Sequence, residues 1–139
     1  MAHVGGQDPQ DLSDDCWRRK LTPEQYRVLR RSGTERPFSG ALLHVTADGT
    51  FACAGCGHPL FSTHDKFDSG SGWPSFLDVL DADGVELRED RSHGMVRTEV
   101  RCRACGGHLG HRFDDGPRPT GLRYCINSAA LEFRPESDG

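Results

Sequence analysis

The chain has 139 residues, 17 Gly, 8 Pro and a formal net charge of −4. That length holds one domain with a core and leaves little room for two. The acidic balance argues against a nucleic-acid binder that relies on a broad basic field, and no run approaches the ~18 apolar residues of a membrane span.

Residues 1–15 contain Gly5, Gly6, Pro9 and four Asp, and read as a flexible tail ahead of one domain over 16–134. They lack the basic start and apolar block of a secretory signal, which predicts a cytoplasmic protein. Thr22-Pro23-Glu24-Gln25 is a capping box with Pro at the first helical position, so a helix is expected over Pro23–Ser32. Leu21 and Tyr26 have staple spacing, and Gly33 is the expected stop. Ala41–Thr46 is apolar and β-prone, Asp48-Gly49 is a hairpin signal, and Thr50–Cys53 is the return strand. Met95–Cys102 alternates, with Val96, Thr98, Val100 and Cys102 on one face. Arg123–Phe133 is the longest strand expected, with Arg123, Cys125 and Asn127 sharing a face. Asp68–Pro74 and Asp114–Gly121 read as loops. No βαβ alternation occurs, so the fold class is mainly β.

Six cysteines are too few for a disulfide scaffold, and in a reducing compartment they point to metal ligation or reactivity. Cys53-Ala-Gly-Cys56-Gly57 and Cys102-Arg-Ala-Cys105-Gly106 are two knuckles. Each gives two sulfurs on a tight turn, and the following Gly accepts the positive φ that turn demands. Four thiolates in tetrahedral array suit one structural Zn²⁺, with no open position for a metal-bound water. Iron takes the same four ligands. Two thioredoxin-like redox pairs fit less well, because neither pair opens a βαβ unit.

Cys16 and Cys125 are left over. Arg123 beside Cys125 favours a thiolate, and Asn127 can hydrogen-bond an oxygen held there; the competing reading is a buried Cys acting as a small hydrophobe. His108 and His111 follow the second knuckle at metal-ligand spacing. If the first knuckle completes the shell, both imidazoles are free for proton transfer, or are simply surface residues. Phe113 has the parity of His111 and can share its wall. Trp73, in the Gly/Pro-rich loop, packs either under that loop or against a ligand.

Five segments resemble, in order, the methionine sulfoxide reductase B family. They are Lys20-Leu-Thr-Pro-Glu-Gln-Tyr26, Gly33-Thr-Glu-Arg-Pro-Phe-Ser-Gly40, Gly72-Trp-Pro-Ser-Phe76, His108-Leu-Gly-His111 and Arg123-Tyr-Cys-Ile-Asn-Ser128. The resemblance spans about Trp17–Phe133. It implies two small curved antiparallel sheets with a short N-terminal helical segment, stapled by the four-Cys zinc site. It also implies reduction of the R epimer of methionine sulfoxide in oxidised proteins. Cys125 would be the nucleophile and pass through a sulfenic acid. His108, His111, Asn127 and Arg123 would surround it, with Trp73, Phe113 and His111 binding substrate. Arg112 departs from the family, which often has an apolar residue there. Many members carry a resolving Cys where this chain has Ser71. Cys16 is therefore the candidate resolving thiol, giving an intramolecular disulfide that thioredoxin reduces; direct attack by an external thiol is the other route. A monomer with no nucleic-acid or membrane partner is expected. Two other classes compete. A non-catalytic zinc-ribbon module predicts no special reactivity at Cys125, and a cysteine hydrolase needs no reductant.

Overall fold

The computed structural model describes residues 13–45, 47–91 and 94–136. Of the tail read over 1–15, residues 1–12 lie outside the described residues, and its last two are helical. Helix α1 runs Asp14–Lys20. Ser13 caps it, Asp14 and Asp15 occupy its first turn, and Arg18, Arg19 and Lys20 its last, so charge complements the helix dipole at both ends. Trp17 is 1% exposed and anchors α1 to the core, with the Arg30 guanidinium 4.5 Å from its ring centroid. Burying a side chain of that size stabilises by about 2–3 kcal/mol.

Helix α2 spans Pro23–Arg31, and both halves of the capping box form. It ends one residue earlier than expected. Ser32, not Gly33, takes the left-handed conformation (φ 55), and Gly33 N–H closes the turn on Arg27 O.

The strands form two antiparallel sheets, as the alternation and the lack of βαβ units required. They are β1 (Gly49–Cys53), β2 (Pro59–Ser62), β3 (Lys66–Phe67), β4 (Ser75–Phe76), β5 (Val85–Asp90), β6 (Arg97–Cys102), β7 (His108–Phe113), β8 (Arg123–Ile126) and β9 (Leu131–Pro135). The smaller sheet has the order β2-β1-β9, the larger β3-β4-β8-β7-β6-β5. Aromatics from both meet in the core. Phe61 of β2 stacks on Phe76 of β4 at 4.4 Å, and Phe51 of β1 meets Phe76 edge-on at 5.1 Å.

Two strand expectations are overturned. Ala41–Val45 is a run of turns, with Leu43 N–H on Gly40 O and Val45 N–H on Leu42 O; Thr46 lies outside the described residues. Strand β1 already pairs with β2 and β9, so neither of its edges is left for a hairpin from residues 41–46. The long strand over Arg123–Phe133 is two strands in different sheets. The break follows Ile126, where Asn127 donates from both its backbone N–H and its Nδ2 to Leu109 O, each at 3.0 Å. A 3₁₀ turn over Ser128–Ala130 then carries the chain to the smaller sheet. Among the described residues no helix is long and apolar enough to cross a membrane.

Candidate active site and metal centre

The two knuckles close at one end of the molecule. Cys53 ends β1, Cys102 ends β6, and the four Sγ atoms lie within 4.8 Å of one another. Cys53 and Cys105 are 3.7 Å apart, and Cys56 and Cys102 3.5 Å. A tetrahedron with ~2.3 Å metal–sulfur bonds has edges of about 3.8 Å, so the four sulfurs are arranged to hold a metal ion. Gly57 (φ 84) and Gly106 (φ 77) adopt the positive φ expected after each pair, and Gly55 N–H points at Cys53 Sγ from 3.4 Å. His108 and His111 stand outside this cluster.

Cys125 sits in mid-sheet, opposite Ser75 of β4 on one side and His111 of β7 on the other. Side chains directly opposite across an antiparallel pair have Cβ atoms ~5 Å apart, so His111 and Cys125 are immediate neighbours. Both open onto a cleft of 270 Å³ whose walls include Trp73, Phe113, Arg123 and Asn127. Six residues expected at the site therefore meet in one cavity. His108 and Cys16 are not among those lining it.

Each wall is held by groups that no local pattern reveals. Trp73 Nε1 donates to Glu35 O at 3.0 Å. Asn127 Oδ1 accepts from Glu35 N at 3.0 Å while its Nδ2 binds Leu109 O. Both ends of this amide thus pin backbone, which fixes its orientation at the cleft wall, and the second N–H of Nδ2 is left over from these contacts. Arg123 lies 4.4 Å over the Phe113 ring, and its guanidinium is bidentate to Asp115, at 2.8 and 3.2 Å. His111 Nε2 is 2.8 Å from Asp90 Oδ2, fixing the ring from β5. His108 is 3% exposed, with Nδ1 2.6 Å from Glu99 Oε2, and lines a neighbouring polar pocket that also contains Arg101. Its ring lies 5.5 Å from that of His111, edge to face. Arg112, the departure from the family pattern, lies 6.0 Å from the Tyr124 ring centroid. Thr34 also lines the cleft. Asp90, Asp115 and Glu99 were invisible as partners because they meet the site only through tertiary pairing; Glu99 falls on the polar face of its strand with Arg97 and Arg101, where an acid draws no notice.

At Cys125 the expected pull of Arg123 toward the thiolate is present, and burial opposes it. Burial pushes the Cys125 thiol above its ordinary 9.0, although the Ser71 hydroxyl, 3.8 Å from Sγ, and the Arg123 charge both pull it down. Arg123 divides its charge between the thiol and Asp115 and does not win. Burial also lowers His111 below its ordinary 6.5, against the Asp90 hydrogen bond. Thiol and imidazole are therefore both neutral near pH 7 in the resting site. Cys16 is the reverse case, its thiol lowered chiefly by the hydrogen bond from Ser13. Alkylation by iodoacetamide near pH 7, followed by peptide mapping, should label Cys16 before Cys125. The Cys125 rate should climb about tenfold per pH unit from 7 to beyond 9, because only the thiolate reacts. A Cys125 rate that levels off by pH 7 would show that Arg123 prevails over burial.

The family model of the SelR domain matches residues 21–135. Among similar proteins, the peptide methionine sulfoxide reductase MsrB of Methanosarcina barkeri (strain Fusaro / DSM 804) is 57% identical over 129 residues, 93% of this chain and 91% of its own. That of Leptospira interrogans serogroup Icterohaemorrhagiae serovar Lai (strain 56601) is 59% identical, covering 89% of this chain and 95% of its own. The chain belongs to the methionine sulfoxide reductase B family. A further relative of that name, from Thiobacillus denitrificans (strain ATCC 25259 / T1), is 59% identical over 124 residues. The SelR match takes in both knuckles and every cleft residue named above, and α1 with Cys16 lies outside it.

Proposed function

We propose that the chain reduces the R epimer of methionine sulfoxide in proteins to methionine, with Cys125 as nucleophile. The observation that carries this is a half-buried thiol at an aromatic-walled cleft, directly opposite a carboxylate-held imidazole. Trp73 and Phe113 suit the methyl and methylene groups flanking the sulfoxide, and together fix which face of the chiral sulfur meets Cys125. His111, neutral at rest, accepts the Cys125 proton as the sulfoxide docks and passes it to the departing oxygen. The sulfoxide sulfur gains two electrons as its S–O bond breaks. Cys125 loses two and takes the oxygen, ending as sulfenic acid. His108, held by Glu99 behind His111, supports that ring.

The sulfenic acid then needs a thiol. One thiol sulfur displaces its hydroxyl as water and leaves a disulfide, and a dithiol protein such as thioredoxin reduces it. Cys16 is the internal candidate, its lowered thiol suited to attack. A disulfide needs the Cys16 Cα within ~7 Å of that of Cys125; Cys16 sits on α1 beside the buried anchor Trp17 and does not line the cleft. The four-Cys centre holds Zn²⁺, the ion that a closed tetrahedral thiolate shell suits, and acts structurally.

A chirally resolved methionine sulfoxide assay with dithiothreitol tests the reading. Only the R epimer should be consumed, with one methionine formed per dithiol oxidised. Consumption of the S epimer, or turnover without reductant, overturns it. Peptide mapping after one equivalent of sulfoxide without reductant tests the recycling step. A Cys16–Cys125 disulfide is expected, and sulfenic acid at Cys125 beside an alkylatable Cys16 assigns the step to an external thiol.

A further inference from the structure

Trp73 belongs to two cavities. Besides the Cys125 cleft it lines a groove of 440 Å³ whose apolar walls are Phe38, Leu43, Val45 and Phe67. Phe38 is anomalous there in two independent ways. Its φ is 65, in the left-handed region that bulky side chains avoid. It is also 68% exposed, the most exposed large hydrophobic side chain among the described residues. Gly or Asn would satisfy that backbone, and a polar side chain would satisfy that exposure.

The strain is imposed by a lock between two segments. Phe38 N–H donates to Gly72 O at 2.7 Å. Gly72 itself has φ 93, and a Cβ there would come within 2.6 Å of Pro37 and 2.9 Å of Phe38 N, so only glycine permits the approach. The neighbouring Glu35 carbonyl holds Trp73 Nε1. The same short segment thus positions the indole that the two cavities share and sets the Phe38 ring at the groove. Strain retained beside a site, on a large apolar side chain left mostly exposed, points to use.

We infer that this groove receives an apolar side chain of the oxidised polypeptide, one or two residues from the sulfoxide, with Phe38 as its outer wall. The inference rests on the reductase reading of Cys125 and adds a sequence preference to it. Continuity selects the occupant. Trp73 lines both cavities, and an extended chain advances ~7 Å in two residues, so the polypeptide whose sulfoxide lies at Cys125 is the occupant with side chains to offer on the far side of that residue. Lys66, which also lines the groove, donates to Leu43 O at 2.6 Å, and its charge is answered by Asp68 in the same lining, so an acidic neighbour meets a carboxylate as well as the cation.

The test uses the full chain with dithiothreitol as reductant. Substrates are N-acetyl-methionine sulfoxide amide and seven-residue peptides with a central methionine sulfoxide, flanked at the two positions on either side by Leu or by Asp. The wild-type protein should favour the Leu-flanked peptide by about tenfold in kcat/KM, the scale of one buried aliphatic side chain. Phe38→Asn tolerates the left-handed backbone and should bring the ratio within twofold, with the N-acetyl amide turned over as before and Tm within about 3 °C of wild type. An unchanged ratio in the variant overturns the inference. So does a raised KM for thioredoxin, measured in a parallel assay with thioredoxin as reductant, with the peptide ratio intact, which assigns the surface to the reductant. A Tm lowered by more than about 8 °C makes Phe38 a packing residue and overturns it too. Failure of the wild-type protein on the N-acetyl amide would instead remove the reductase reading, so the two failures are distinct.

Discussion

Cys125→Ser should lose sulfoxide reduction by on the order of 10³-fold or more while keeping fold and metal. The loss is more than weakened nucleophilicity. In the proposed chemistry Cys125 must accept the oxygen atom and surrender two electrons, and a serine hydroxyl has no corresponding oxidation state. The fold should survive because little depends on Sγ. Its hydrogen-bond neighbour is Ser71 Oγ at 3.8 Å, and a hydroxyl at 125 can bond to that oxygen directly. The backbone of β8 is held independently by β4, β7 and Asn127. The measurements are kcat with dithiothreitol, Tm and metal per chain. Turnover near the wild-type rate would move the oxygen acceptor to Cys16. A collapse of Tm together with activity would make Cys125 a core residue.

Removing one metal ligand should cost the whole fold. Cys53 and Cys102 are fully buried and Cys105 is 1% exposed, and they end or follow strands of two different sheets. A metal between them would tie the two sheets together at that end of the core. Structural zinc contributes on the order of 10 kcal/mol, comparable to the entire stability of a domain this size. Cys53→Ser also leaves three crowded thiols in a space built for a cation. The variant should be insoluble, or lack near-ultraviolet dichroism, and prolonged chelation of the wild-type protein should give the same result. One zinc per chain by elemental analysis is expected. A folded, metal-free protein with wild-type Tm would end the structural role, and iron in its place would correct the element.

What the sequence made legible was local. Each knuckle is a four-residue spacing followed by a glycine, and the φ values of Gly57 and Gly106 follow from that pattern alone. The capping box of α2 is equally self-contained. The errors lie where a distant partner decides. Asn127 reads as one more strand residue until Leu109, eighteen positions earlier, supplies the carbonyl that turns the chain. Residues 41–45 have β propensity, but β1 has no free edge to offer them. Helix α1 was missed, because a single buried apolar residue, Trp17, gives no period. The site divides the same way. Cys125, Arg123 and Asn127 share a face by parity, and His111 and Phe113 by theirs. The balance at the thiol was not readable, because burial and the Asp115 partner of Arg123 exist only after folding.

Strand β8 lies between β4 and β7 and is the last strand of the larger sheet in chain order, so it has to enter a gap between strands made before it. A chain emerging N-terminus first presents both knuckles before residue 123, so the metal can be loaded before the catalytic strand exists. Until β8 arrives, β4 and β7 face each other as two open edges, with Phe76 and Leu109, both fully buried in the finished fold, beside the gap. Such edges recruit strands from other chains. A product terminated before Arg123 would thus carry a filled metal centre and a sticky slot where the active site belongs.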